Sequence, residues 1–178
     1  DVAAPGPHYG DGSGVRGDII GDTQHHGGND KAIYAYAREE LDYWQSELSR
    51  PLASGCFGEN LTTQGVDLSA LLINQRLRIG TAVLEVSVPR QPCSTFAGWL
   101  GERGWLKRWT ARGDCGTYLR IISPGRIQPG DCITMDAPPN HDITMRIAFA
   151  AKMGNRTLAQ RVIEAGCLPP HQNNSLRA

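Results

Sequence analysis

Closely spaced glycines and prolines divide this chain into short segments, and these frequent breaks limit the folds that it can adopt. Glycine accounts for 21 and proline for 11 of the 178 residues, and both residue types favour turns over regular structure. Such a sequence predicts many short strands rather than a few long helices. A hydrophobic content of 40% is enough for a core at this length, so we expect one domain with at most a small appendage.

Apolar patterns between the turns predict the order of the secondary structure. Period-two alternation and short apolar runs predict strands, and spacings of three and four residues predict helices. The predicted strands are 15–22, 76–79, 81–88, 118–123, 126–128 and 132–135. The predicted helices are 31–50, with Ile33, Tyr36, Ala37, Leu41, Trp44 and Leu48 on its buried face, then 94–104, 142–153 and 156–165, with 105–112 helical or irregular.

These elements predict a mainly β fold with α insertions. The pair Pro138-Pro139 marks a boundary, because prolines in sequence interrupt regular structure. We therefore expect a β-barrel-like domain at residues 1–138 and a short C-terminal helical tail at residues 139–178. The chain begins at Asp1 rather than at Met, and the first strand of the barrel is not evident in it.

The balance of charge narrows the partners that such a chain can have. Eighteen basic residues are matched by eighteen acidic ones, which argues against nucleic acid or an anionic membrane as an obligatory partner. No apolar run approaches the ~20 residues that span a bilayer, and no signal peptide is evident. We therefore expect a cytoplasmic protein, whose oligomeric state the sequence leaves open.

The cysteines also restrict the chemistry. Five of them are widely spaced without a C-x-x-C pair, namely Cys56, Cys93, Cys115, Cys132 and Cys167. Zinc and iron–sulfur sites usually draw on such pairs, so neither has support in the sequence. The odd number and the spacing favour reduced cytosolic thiols over a disulfide framework.

The run Val86–Cys93 presents one of these thiols in an unusual setting. It reads as a buried strand that stops at a turn bracketed by Pro89 and Pro92, since proline lacks the N–H that strand pairing needs. Arg90 precedes Cys93 by three residues, and a nearby cation favours a thiolate. The simpler alternative is that Cys93 is a small buried apolar residue, as most free cysteines are.

Two polar, glycine-framed loops are further candidates for binding. In His25–Lys31 the pair Gly27-Gly28 permits positive φ and close approach of the backbone to a ligand. In Gly55–Gly65 a carboxylate, an amide and two hydroxyls stand between glycines, a set of donors and acceptors suited to a heterocycle. Loops whose side chains satisfy their own backbone would have the same composition, so both readings stay open here.

Taken together, these segments resemble the MOSC domain, the family named for the C-terminal domain of molybdenum cofactor sulfurases. The resemblance is carried by His25–Ala32, Phe57–Gly65 and Pro89–Cys93, and by a fourth segment that starts at Gly116–Arg120 and extends through Gly130-Asp131. The resemblance covers nearly the whole chain. Within the family, the chain is similar to stand-alone bacterial members of the YiiM type. It implies a MOSC-type β-barrel followed by an abbreviated helical tail.

The resemblance also implies a molybdenum–pterin cofactor, with the Cys93 thiolate as the protein ligand to molybdenum. A soft thiolate suits this metal better than a hard oxygen ligand would. Arg90 would pair with the pterin phosphate through its guanidinium fork. The implied cofactor-binding residues are Arg90, Glu59, Asn60, Thr62, Thr63, His26, Gly28 and Lys31.

By the same resemblance, the activity would be the reduction of N-hydroxylated small molecules such as N-hydroxylated purine bases and amidoximes. No flavin or iron–sulfur motif is recognisable in the sequence, so a separate reductase would supply the electrons. Two alternatives stay open. One is a non-redox module in which Cys93 carries sulfur or holds the molybdenum cofactor for delivery. The other is a barrel that has lost its cofactor and acts only through contacts.

Overall fold

A curled sheet of six short strands forms the centre of the computed structural model, which describes residues 1–177. Its spatial order is β2-β1-β5-β4-β3-β6, and only the β1–β2 pair is parallel among these neighbours. The strands are β1 (Ile33–Ala37), β2 (Leu61–Thr63), β3 (Arg76–Ile79), β4 (Ala82–Val86), β5 (Thr117–Ser123) and β6 (Ile133–Met135). The sheet curls into a half-barrel.

Helices cover the sheet and follow it. They are α1 (Arg38–Leu48), α2 (Ser94–Leu100), α3 (Trp105–Arg112), α4 (Met145–Lys152), α5 (Arg156–Ala165) and α6 (Pro170–Asn174), with a 3₁₀ turn at Asn29–Lys31. The predicted fold, a barrel-like sheet with inserted helices and a helical tail, is confirmed. No helix within residues 1–177 combines the length and the apolar character needed to cross a membrane. The division into two domains at residue 138 stays a prediction.

A cluster of aromatic rings holds the inserted helices against the sheet. Trp105 on α3 packs edge-on against Trp44 of α1, Phe96 of α2 and Phe57, with ring centroids 4.6 to 5.6 Å apart. Edge-to-face pairs of this kind are worth about 0.5–1.5 kcal/mol each beyond the area that they bury. The cluster therefore fixes α2, whose first turn carries the candidate thiol.

The predicted helix at 31–50 is wrong over its first part. Residues Ile33–Ala37 form strand β1, and the helix α1 covers only Arg38–Leu48. All five residues of β1 are buried, since this strand pairs with β2 on one side and with β5 on the other. Burial on both faces removes the alternation typical of a strand, so the helical spacing of these residues is a coincidence. Ser49, in the left-handed conformation, ends α1 before Pro51.

Two predicted strands are also absent from the described residues, and one helix was not predicted. Segments 15–22 and 126–128 contain no regular strand, and near them only isolated bridges join Val2 to Val15 and to Gly125. The apolar residues of 15–22 lie in a loop with the exposed Ile19 instead of a sheet. Helix α6 begins at Pro170, because proline is tolerated in the first turn, where its missing N–H has no partner to lose.

Hydrogen bonds hold helix α6 against the rest of the chain. The ammonium of Lys152 on α4 donates to the carbonyl of Gln172 at 2.7 Å and also to the hydroxyl of Ser175. The amide of Gln172 donates to the hydroxyl of Tyr9 at 2.9 Å, and this hydroxyl also bonds the ring of His171. The tail thus connects α4 to the N-terminal loop.

The lysine that fastens α6 makes the stability of the protein depend on pH. Burial, together with repulsion from Lys31, lowers the pKa of Lys152 to about 8, whereas an unfolded chain keeps this proton to a pH of about 10.4. Between these values the unfolded state binds more protons, so the contribution of Lys152 to the free energy of unfolding rises with pH.

We expect Lys152→Met to remove that rise. Urea unfolding from about pH 8 to about pH 10 should give a flatter dependence of the unfolding free energy than in the wild type. The variant Lys107→Met, which removes an exposed lysine of α3, controls for the change in net charge. Equal slopes in the wild type and in Lys152→Met would contradict the assignment.

Candidate functional site

A cleft beside Cys93 contains most of the residues to which the resemblance points. Its main chamber has a volume of about 840 Å³, and a side arm of about 440 Å³ shares several of the same walls. The walls common to both spaces include Arg90, Cys93, His26, Lys31 and Tyr118. Volumes of this size are typical of pockets for small molecules and cofactors.

The backbone places Cys93 at the start of a helix. Pairing between β4 and β5 continues past the end of β4, through the bond from the Tyr118 N–H to the Val88 carbonyl at 3.1 Å, and stops at Pro89. After the proline-bracketed turn, Cys93 is the N-cap of α2, and its sulfur accepts the Phe96 N–H at 3.4 Å. The predicted strand end is confirmed, and the half-buried thiol lines the cleft.

Arg90 brings a positive charge into the cleft. Its guanidinium lies 4.7 Å from the ring centre of Tyr34 and 4.3 Å from that of Phe96, and it donates to the Phe57 carbonyl. Within residues 1–177 no carboxylate lies within 4.0 Å of this group. Burial alone would lower the pKa of Arg90, but the phenols of Tyr34 and Tyr118 raise it. Arg90 is therefore a permanent cation.

Lys31 and His26 form a second polar group in the cleft. The Lys31 ammonium donates to the His25 carbonyl at 2.7 Å and lies 4.5 Å from the ring centre of Tyr9. Burial lowers the pKa of Lys31, and burial and the Lys31 charge lower that of His26. His26 Nδ1 lies 3.3 Å from the hydroxyl of Tyr118, whose pKa burial raises to about 12. At neutral pH this group thus offers one cation and a neutral imidazole.

A salt-bridge network fixes the loop that carries these two residues. Asp30, next to Lys31, accepts from the Arg120 guanidinium at 2.6 Å, and Arg120 also pairs with Glu85 on β4 at 3.0 Å. Both carboxylates and the guanidinium are largely shielded from solvent, so the pairs are screened less than surface ones. The sheet thereby sets the position of Lys31.

Among the four implied cofactor-binding residues of the Gly55–Gly65 loop, only Asn60 lines the cleft. Its side-chain oxygen accepts the Tyr34 N–H at 2.9 Å, and its amide donates to the Asp18 carboxylate at 3.0 Å. Asn60 therefore joins the 18–22 loop to strand β1. The structure brings Cys93, Arg90, Asn60, His26 and Lys31 together in one space.

The other polar side chains of this loop brace its backbone instead. The buried carboxylate of Glu59 accepts the N–H of Gly55 at 2.6 Å, the N–H of Phe57 at 3.0 Å and the Thr62 hydroxyl at 3.0 Å. The Thr63 hydroxyl is buried without a partner among the described residues. None of these three residues lines the cleft, and the bonds of Glu59 and Thr62 shape the loop.

Gly28 lies behind the cleft rather than on its wall. Its φ is +75°, its N–H donates to the Gly12 carbonyl at 3.0 Å, and a Cβ at this position would stand 2.2 Å from the His8 carbonyl oxygen. The neighbouring Gly27 lines the chamber. Gly28 thus allows the N-terminal loop to pack against the His25–Lys31 segment.

Several residues of the cleft were not among the predicted ones. Tyr34 was assigned to a helix, and the alternation of tyrosines in Ile33–Ala37 was the signal that could have placed it on a strand that faces the cleft. Others come from loops, from helix α2, from strand β5 and from the tail, and no local pattern marks them as cleft residues. They include Asp18, Ile19, Asp22, Cys56, Trp99, Tyr118 and Gln172.

The basic residues of α3 contribute to a different place. Arg112 pairs with Glu40 through two bonds of 2.6 and 2.9 Å and has Asp114 nearby, beside a separate cavity of about 390 Å³. Arg108 lies 3.6 Å from Glu47. Because these guanidiniums already have acidic partners, they do not provide a free anion site next to Cys93.

Comparisons with known proteins identify relatives of the chain. The MOSC domain model matches residues 22–134, which include every cleft residue named above from Asp22 to Tyr118. The chain is 40% identical over 155 residues to the uncharacterized protein YflK of Bacillus subtilis (strain 168), a match that spans 85% of this chain and 70% of YflK.

A solved structure and a more distant relative extend the comparison. The crystal structure of YiiM from Geobacillus stearothermophilus superposes with a TM-score of 0.75 at 28% identity, over 84% of this chain and 78% of that one. A protein of Gibberella moniliformis named "Reductase" is 31% identical over 135 residues, which are 73% of this chain but only 24% of that protein. By sequence and by structure, this chain belongs to the MOSC domain family and is similar to its YiiM members.

Proposed function

We propose that this protein holds the molybdenum cofactor in the cleft beside Cys93 and reduces N-hydroxylated small molecules there. The observation that carries the proposal is that an accessible thiol and the Arg90 guanidinium, which has no acidic partner within residues 1–177, line one chamber. A soft thiolate suits molybdenum, and a guanidinium without an acid partner suits a phosphate. The distant relative named "Reductase" is consistent with redox chemistry.

The charges and donors of the cleft fit such a cofactor. Arg90 would hold its anionic phosphate, and Cys93 would supply the protein ligand to its metal. Asn60 keeps the neighbouring loop in place through Tyr34 and Asp18. When bound, the cofactor supplies a metal centre that exchanges electrons with an N–O bond.

The reaction itself needs two electrons and two protons, since an N-hydroxyl group becomes an N–H group and water. A separate reductase would supply the electrons. Lys31 is suited to deliver a proton, because burial lowers the pKa of its ammonium and makes it a stronger acid than an exposed lysine. Tyr118, with a pKa of about 12, is a weaker donor but orients His26.

A second candidate function is delivery of the cofactor or of sulfur without turnover. It is favoured by the presence of another thiol, Cys56, on the wall of the same chamber. Burial raises the pKa of Cys56, so this thiol is a weaker nucleophile at neutral pH. Cys93 would carry the transferred group in this scheme.

One experiment separates these functions. The protein is purified from cells that make the cofactor, its molybdenum and pterin are measured, and it is assayed for reduction of N6-hydroxyadenine with a reduced viologen as electron donor. We expect about one molybdenum per chain and turnover of the substrate, with neither in protein from cells that lack the cofactor. Loaded protein without turnover would favour the carrier, and protein that takes up no molybdenum would contradict both functions.

A further inference from the structure

The ammonium of Lys31 is held by phenol rings rather than by an ion pair. Its Nζ lies 4.5 Å from the ring centre of Tyr9 and 5.6 Å from that of Tyr118. Among the residues that the structure describes, none places a carboxylate within 4.0 Å of this ammonium. Rings at this distance attract a cation through their negative faces. The two phenols and the His25 carbonyl therefore hold Lys31 in place.

Of these two rings, Tyr9 belongs to a connection that leads away from the cleft. Tyr118 lines both spaces of the cleft, whereas Tyr9 lines neither, so Tyr9 acts on the cleft through Lys31. Its hydroxyl accepts the Gln172 amide at 2.9 Å and bonds the His171 Nε2 at 3.1 Å. Burial raises the pKa of this hydroxyl. Tyr9 is therefore a neutral phenol, which can accept one bond while it donates the other.

The far end of the connection is helix α4, which has one face buried in the core. Lys152 on this helix donates to the Gln172 carbonyl at 2.7 Å and also to the Ser175 hydroxyl. The backbone of Gln172 is thus bound to α4, while its side chain is bound to Tyr9. A continuous series of contacts runs from Lys152 through Gln172 and Tyr9 to Lys31.

We propose that Tyr9 is a positioning residue for Lys31 and that helix α6 holds Tyr9 in place, so that the helical tail completes the reactive site. This inference rests on the proposed function, in which Lys31 delivers a proton, and deepens it by giving the tail a part in that step. A general acid must lie within hydrogen-bond reach of the atom that it protonates. A lysine has a flexible four-carbon stem, and a fixed ring beside the ammonium restricts this freedom.

The same ring affects the acidity of Lys31. Burial is the largest influence on the pKa of Lys31 and lowers it, while the carboxylates of Asp22 and Asp30 oppose this effect. The ring of Tyr9 contributes to the burial, and its removal would admit water to the ammonium. Because burial outweighs the attraction of the ring, Tyr9→Ala should raise the pKa of Lys31 toward the ordinary value of about 10.4. The other titratable groups near this ammonium are His26, Tyr118 and Lys152.

Trace acetylation of molybdenum-free protein tests this without turnover. A limiting amount of acetic anhydride is applied between about pH 7 and about pH 11, and mass spectrometry compares acetylation of Lys31 with that of the exposed Lys107. We expect the reactivity of Lys31 to titrate about one pH unit higher in Tyr9→Ala than in the wild type. Circular dichroism checks the fold of each variant.

Two glutamine variants make the test specific to the tail. Gln172→Leu removes the bond from α6 to the Tyr9 hydroxyl and should shift the titration of Lys31 in the same direction, by less. Gln160→Leu is the matched control, because this exposed glutamine bonds only Glu164 within α5. A titration of Lys31 that is the same in the wild type, in Gln172→Leu and in any folded Tyr9→Ala would overturn the proposal.

The pH profile of the loaded protein gives a second readout. Lys31 can deliver a proton only while it is protonated, so the rate of N6-hydroxyadenine reduction should fall as the pH rises through its pKa. In Tyr9→Ala we expect kcat to fall about tenfold and the alkaline limb to move upward with the titration of Lys31, while KM changes less than about threefold. Tyr9→Phe keeps the ring and should keep the limb of the wild type.

Two results separate this inference from the function on which it rests. A lower kcat in Tyr9→Ala with an unmoved limb would indicate a merely structural role and would overturn the positioning of Lys31. If acetylation shifts as expected but loaded wild type does not reduce N6-hydroxyadenine, Tyr9 still positions Lys31, and the proposed reduction fails.

Discussion

Cys93→Ser is expected to lower both the molybdenum content and the rate of N6-hydroxyadenine reduction by about 100-fold or more. Changes in residues that only support a metal ligand cost about 10–100-fold, and this change replaces the ligand itself with a hard hydroxyl that suits molybdenum poorly. The serine fits the N-cap of α2 and can accept the Phe96 N–H in place of the sulfur. The fold should therefore remain intact, and circular dichroism and metal analysis check both parts.

Two matched variants make this result specific. Cys56→Ser changes the other thiol on the chamber wall, and Cys132→Ser changes an exposed thiol outside the cleft. Both should keep molybdenum and activity near wild-type levels. Full activity in Cys93→Ser would refute the ligand assignment, and a loss of activity in folded Cys56→Ser would transfer the essential role to the second thiol.

Gly28→Ala is expected to lower the free energy of unfolding by about 2–4 kcal/mol. The new Cβ would stand 2.2 Å from the backbone carbonyl of His8, which cannot rotate away, and alanine is strained at a φ of +75°. Urea unfolding at neutral pH measures the change. The N-terminal loop should separate from the His25–Lys31 segment before the rest of the protein unfolds.

Gly58→Ala is the control for this effect. Gly58 also has a positive φ, +77°, but an added Cβ would meet no atom within 4 Å. Its cost should be the conformational strain alone, about 1–2 kcal/mol. If Gly28→Ala were no less stable than Gly58→Ala yet lost molybdenum, Gly28 would contact the cofactor, as the sequence resemblance implies, and would not serve only the packing of the loop.

Local patterns predicted the strands that have one buried face and one exposed face. Strand β3 alternates between exposed and buried residues, and β4 follows a similar pattern, so both lie where the sequence places them. Strand β1 escaped prediction because it is buried on both faces and passes directly into α1 at Arg38. Its pairing with β2 and β5 is non-local, and no period in the sequence reports it.

Predictions of the site depended on the same distinction. In some motifs the sequence itself indicates the backbone geometry and the charge. The fold brings together three residues of such motifs, Cys93, Arg90 and Lys31. Glu59 and Thr62 have the composition of a binding loop but satisfy its own N–H groups and each other. Trp99 and Gln172 reach the cleft from helices that are folded back onto it, a placement that only tertiary structure determines.

Helix α2 fixes two groups of the cleft wall relative to each other, which separate loops could not do. Cys93 caps its first turn, and Trp99 lies six residues further along the same short helix. Six residues of α-helix advance by about 9 Å, and this separation can change only if the helix unwinds or shifts register. The separation between the Cys93 thiol and the Trp99 indole is therefore set by a rigid element. Inserting or deleting one residue within α2 would also rotate the indole by about 100° relative to the thiol.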